Sequence, residues 1–166
     1  MTWEEYYGGQ PALFSLWQAL RHWFEPFMTE YEEDRMELAI ELARGVIVVR
    51  RVRPPTLTAN LRNKLAKLGF VPEKFTGQSG HRDLCLRVVA NLIYKMGADP
   101  SLISEDTGYC AGRTDVTLWD PTRKQVLFAG ECGYTQPAKA IRSTMNGTPM
   151  LLLPHGGKHG LIFERN

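Results

Sequence analysis

Apolar positions recur at helical spacing after Pro11, where Leu13, Leu16, Trp17, Leu20 and Phe24 predict an amphipathic helix ending near Pro26. A second helix is predicted from about Tyr31 to Arg44, with Met36, Ala39, Ile40 and Ala43 inward and the glutamates outward. The β-branched run Val46 to Val52 predicts a strand, stopped by Pro54 and Pro55. Leu57, Leu61, Leu65 and Leu68 mark a third helix closed by Gly69. Ser79 is the expected cap of a helix from about His81 to Met96, with Leu84, Val88, Leu92 and Met96 on its apolar stripe and Gly97 as its stop.

Beyond Pro100 the pattern changes to alternation. A short strand is expected from Ser101 to Glu105, and the segments RTDVTLW and VLFAGEC around DPTRKQ read as a hairpin. Pro137 belongs to the first turn of a helix reaching about Asn146 and closed by Gly147, before a last strand pair, MLLLP and LIFER. A helix between VLFAGEC and MLLLP allows those strands to lie parallel while the others pair antiparallel. The expected fold class is therefore α/β, a mixed sheet of order α-β-β-β-α-β-β with an N-terminal helical extension. The loop FVPEKFTGQSG suggests a boundary between a mostly helical region, 1–78, and an α/β core, 79–166.

Composition narrows the class. The chain is 43% hydrophobic and 23% charged, and no apolar run reaches the roughly 18 residues of a membrane span. The start MTWEEYYGG lacks the basic and apolar regions of a signal peptide, and three cysteines without a CxxC suit reduced thiols, so a cytoplasmic location is expected. Charge is segregated: residues 1–43 hold nine acids against two arginines, and 44–95 hold eleven Lys or Arg against Glu73 and Asp83. Such a chain presents a basic face to a polyanion, or simply solvated helix faces.

If the hairpin turn centres near Arg123, antiparallel pairing sets Asp115 opposite Glu131, on one face and with Cβ atoms roughly 5 Å apart. Like charges so placed repel unless a cation or base lies between them. A turn centred near Cys110 would add Glu105 beside Asp115. Hard oxygen donors favour Mg²⁺ or Mn²⁺ over zinc. The alternative is a set of solvent-facing acids on an exposed sheet face.

The segment GRTDVTLWDPTRKQVLFAGECGYT resembles the core of the PD-(D/E)XK nuclease superfamily, over about residues 79–154. The resemblance implies a restriction-endonuclease-like sheet in which an Asp on one strand and a Glu on the next hold the metal of a phosphodiesterase. His81 at a helix start, Glu105, Gly112, Arg113 and Asp115 are similar to subfamilies with an additional acid. On that reading the metal ligands are Asp115, Glu131, Glu105 and the backbone carbonyl of Cys132, with Mg²⁺ or Mn²⁺ as cofactor. The superfamily's Lys, two residues after the Glu, is Gly133 in this chain, and some members carry the positive group on the following helix, where Lys139 and Arg142 lie.

The expected activity is metal-dependent cleavage of DNA, with Asp115, Glu131 and Lys139 catalytic and Arg50, Arg51, Arg53, Arg62, Lys64, Lys67, Arg113 and Arg142 as phosphate contacts. The rival is an inactive nucleic-acid-binding or protein-interaction module on the same fold. His155 and His159 flank GGK and read as a tight turn rather than a zinc site, and Cys85 and the Cys132 side chain read as core. The aromatics Trp3, Tyr6, Tyr7, Trp17 and Trp23 suit core, a homodimer or a protein partner better than base stacking. No membrane partner is expected.

Overall fold

The computed structural model describes residues 43, 45–109, 112–133 and 137–166, without the side chains of 106–109 and 112–113. The two helices expected before Arg44 lie outside the described residues, as do the early aromatics. The described part is an α/β structure around a six-stranded mixed sheet. The strands are β1 (Ile47–Val52), β2 (Ile103–Tyr109), β3 (Gly112–Trp119), β4 (Val126–Gly133), β5 (Met150–Pro154) and β6 (Gly160–Arg165), in the spatial order β1-β6-β5-β4-β3-β2. Helix α1 (Ala59–Lys67) precedes α2 (Ser79–Ala90), and α3 (Pro137–Met145) connects β4 to β5.

β4 and β5 are parallel and every other pair is antiparallel, as a helix between those two strands requires. The strand drawn with the N-terminal region, β1, is hydrogen-bonded to β6 at the edge of this sheet. Helix α2 begins at Ser79 with Gln78 as its cap residue, and its last turn widens into a π-turn over Asn91–Lys95. Among the described residues, no helix is long and apolar enough to cross a membrane.

One sheet face is covered by α2. Leu84, Cys85, Val88, Val89 and Leu92 pack with Val116, Phe128, Cys132, Leu151 and Leu153, and Leu65, Phe70 and Phe75 close the cluster from the α1 segment. The sheet lets α2 approach by placing Gly130 beneath it: a Cβ there would lie 2.6 Å from Val88 Cγ1. Arg87 locks α2 to the chain ends of the sheet by donating to the carbonyls of Pro54, Pro55, Gly157 and Lys158. Burial pushes its pKa down from the ordinary arginine value, so four carbonyl partners answer the cost of covering this cation. The other face carries α3, which packs on β5, β6 and β1 with Ala140, Ile141 and Thr144 buried.

The β3–β4 turn is set by one side chain. Asp120 accepts from the backbone of Lys124 at 2.8 Å and Gln125 at 3.1 Å and from the Thr122 hydroxyl, while Arg123 takes φ 56°. These bonds, the Thr122 hydroxyl first, hold the Asp120 carboxyl below the usual range. Substituting Gly130→Ala is expected to destabilise the fold by about 1–3 kcal/mol through overpacking against Val88. Urea denaturation should show the loss, and a Gly130→Ala, Val88→Ala double variant should lose less than the two single losses added.

Candidate functional site

β3 and β4 keep their ladder as far as Val116 and Gly130 and then part. The same register, carried one residue on, sets Asp115 opposite Glu131, as the turn near Arg123 predicts. Where a backbone carbonyl of β3 would have continued the ladder, the N–H of Cys132 donates to Asp115 Oδ2 at 2.8 Å. The Asp115 carboxylate thus stands level with the sheet, between two diverging strands.

Glu131 points to the α3 face. Lys139, in the first turn of α3, donates to Glu131 Oε2 at 2.7 Å, with only 14% and 17% of the two side chains exposed. The Glu131 carboxyl is nevertheless pushed up to about 7. Burial is the first cause and the Asp115 charge adds to it, and together they outweigh the opposing pull of Lys139. Two carboxyl groups and the Lys139 side chain therefore meet in a largely buried setting.

From the α2 face, His81 brings Nε2 to 3.4 Å from Asp115 Oδ1. Its Nδ1 lies 2.9 Å from the Thr76 carbonyl. A carbonyl only accepts, so Nδ1 carries a hydrogen. Cys85, one helical turn on, places Sγ 3.9 Å from that nitrogen. The buried Cys132 thiol is pushed well above its ordinary value, by burial first and then by its hydrogen bond to Cys85. It stays a proton-bearing core group, as strand alternation predicts.

Gly133 stands where a side chain two residues after Glu131 would have no room. Its φ is +84°, and a Cβ there would lie 3.0 Å from His155 Nε2 and 3.1 Å from His81 Cδ2. Two imidazoles occupy the space that a side chain would need. His155 leaves β5 beside Gly133, donating its backbone N–H to the Gly133 carbonyl at 3.3 Å, with its ring centre 6.5 Å from that of His81.

Glu105 does not join this group, which corrects the expectation of three acids abreast. β2 and β3 pair Tyr109 with Gly112, so the hairpin centres between 110 and 111 and Glu105 falls opposite Val116. That one-residue shift turns Glu105 to the other face from Asp115. The register position opposite Asp115 is Asp106, whose side chain lies outside the described residues.

The basic residues are dispersed. Arg50 pairs with Glu164 at 2.6 Å and Arg62 makes a two-pronged pair with Asp83 at 3.1 and 3.0 Å. Arg50, Arg51 and Arg53 lie on or just after β1, four strands from β3 and so roughly 19 Å away. Lys64 and Lys67 are exposed on α1, Arg142 is exposed one turn beyond Lys139, and the Arg113 side chain lies outside the described residues. His81, which the helix start offers either as a surface residue or as an outer member of the site, lies beside Asp115, and Cys85 and His155 join it unforeseen. Only the four-residue spacing of His81 and Cys85 at the head of an apolar helix signals any of them.

Compared with family models, curated proteins and solved structures, the chain matches none.

A carboxyl with a raised folded-state value binds its proton more tightly when folded than unfolded. Its contribution to stability therefore declines as pH rises from the ordinary 4.5 to about 7 and is level above that. Wild type should lose about 1–3 kcal/mol over this window relative to Glu131→Gln. Urea titrations at several pH values, taken as the difference between the two proteins, check it; parallel curves would contradict the buried-carboxyl account.

Proposed function

We propose that the chain is a divalent-metal-dependent phosphodiesterase of the restriction-endonuclease-like class that cleaves DNA. The observation that carries this reading is the convergence of Asp115, Glu131 and Lys139 where β3 and β4 part and α3 begins. The donor set fits a hard cation. Two carboxyl groups adjoin, and the Asp115 charge helps to push the Glu131 carboxyl up to about 7, as a pair awaiting a cation would be. Asp115, Glu131 and the Cys132 carbonyl would hold Mg²⁺ or Mn²⁺, which when bound supplies an acidified water and charge relief at the phosphate oxygens.

The chain's own groups do the rest. The Cys132 N–H fixes one oxygen of Asp115 and leaves the other directed toward His81. Lys139 orients Glu131 and brings a positive charge to the site from α3, the place left to it once Gly133 is closed by two imidazoles. The exposed Arg142 continues the basic character along α3, where a phosphate one step from the cleaved bond would lie.

Plasmid, linear and single-stranded DNA incubated with Mg²⁺, Mn²⁺ or EDTA test the reading. Wild type should cleave only with metal, Asp115→Ala should cleave not at all, and Lys139→Ala should be slower by about 10²–10³-fold with DNA binding retained. Cleavage in EDTA or by Asp115→Ala would refute the mechanism. Binding without cleavage under all conditions would point to the non-catalytic module instead.

A further inference from the structure

A second donor set meets at Asp115 from the opposite face. One ligand atom each from His81, Cys85 and Asp115 lies within 4.8 Å of the other two, with Cys85 buried and the other two partly so. We propose that these three residues form a site for a thiophilic divalent cation of the Zn²⁺ class, distinct in its donors from the Asp115–Glu131 pair.

The His81 ring is aimed at the carboxylate. Nδ1 donates to the Thr76 carbonyl at 2.9 Å, which turns Nε2 toward Asp115 Oδ1 at 3.4 Å, with the Cys85 thiol beside the ring. A backbone carbonyl holding the far nitrogen is also the arrangement that sets the tautomer and orientation of metal-binding histidines.

The ring is also held on both sides. Gly77 has φ +88°, and a Cβ there would lie 3.0 Å from His81 Nδ1; Gly133 has φ +84°, and a Cβ there would lie 3.1 Å from His81 Cδ2. Both glycines adopt backbone conformations that other residues rarely take, and both bring the main chain against this imidazole. A surface histidine has no need of such a cradle.

Donor chemistry then selects the ion. His81 and Cys85 stand four residues apart on one helix face, and a nitrogen, a sulfur and one carboxylate suit Zn²⁺ or Co²⁺, whereas Mg²⁺ avoids sulfur. Binding replaces the Cys85 S–H proton, which leaves to solvent, and three protein ligands keep one coordination position open. Asp115 belongs to both sets.

Co²⁺ titration of the reduced full-length protein tests the site without any activity assay. Wild type should develop a near-ultraviolet thiolate-to-cobalt band at one equivalent, displaced by Zn²⁺. Cys85→Ser should lose the band, Cys110→Ala and Glu131→Gln should keep it, and His81→Gln should weaken Co²⁺ binding by about 10-fold or more. Cys85 is fully buried, so His81→Gln, at a partly exposed position, carries the test should Cys85→Ser fail to fold. Absence of the band in wild type, its survival in Cys85→Ser, or unchanged affinity in His81→Gln would overturn the site. A protein that shows the band and never cleaves DNA would overturn the nuclease reading alone.

Discussion

The site depends on one hydrogen bond, from the backbone of Cys132 to the carboxylate of Asp115. A strand N–H inside a sheet must find a partner, and the ordinary partner is a carbonyl of the next strand. By supplying a side-chain oxygen instead, Asp115 lets β3 and β4 diverge one residue beyond Val116 and Gly130 without leaving a buried donor unmet. The divergence makes room at the level of the sheet, and a carboxylate standing there is reached from both faces. Glu131 and Lys139 approach on the α3 side and His81 and Cys85 on the α2 side.

That geometry explains which parts were legible in the sequence. The Asp115–Glu131 register was readable because the intervening turn is defined by local chemistry: Asp120 caps it and Arg123 takes the left-handed conformation. The β2–β3 connection, DTGYCAG, carries no such marker, and a difference of half a residue in its centre moved Glu105 to the wrong face. The order of strands and helices from residue 79 onward followed from alternation, helical spacing and glycine stops, all local signals. Lys139 was legible because Pro137 marks a helix start a few residues after Glu131. His155 was not, and His81 only as one of two alternatives, since their place depends on where α2 crosses the sheet and how β5 ends, which no local pattern encodes.

Charge was the least transferable signal. The run of eleven basic residues between 44 and 95 suggested a polyanion-binding face, yet several members have internal duties. Arg87 holds four backbone carbonyls, Lys95 donates to the carbonyl of Arg53, and Arg50 and Arg62 each face a carboxylate. The two ion pairs are exposed and contribute little to stability. They do reduce the field those arginines present to solvent. The basic residues therefore form no continuous stripe among the described residues.

Gly133 lies between the two sides of the site. In the fold it is the position at which the main chain must come close to two imidazoles, with φ +84° and no room for a Cβ. The Cβ of a side chain there would meet His155 Nε2 at 3.0 Å and His81 Cδ2 at 3.1 Å, so it could enter only if an imidazole moved. The ammonium comes from α3 instead, where Lys139 reaches Glu131 at 2.7 Å. The absence of a side chain at Gly133 leaves room for His81 beside Asp115, so the crowding at Gly133 and the meeting of His81, Cys85 and Asp115 belong to one local arrangement.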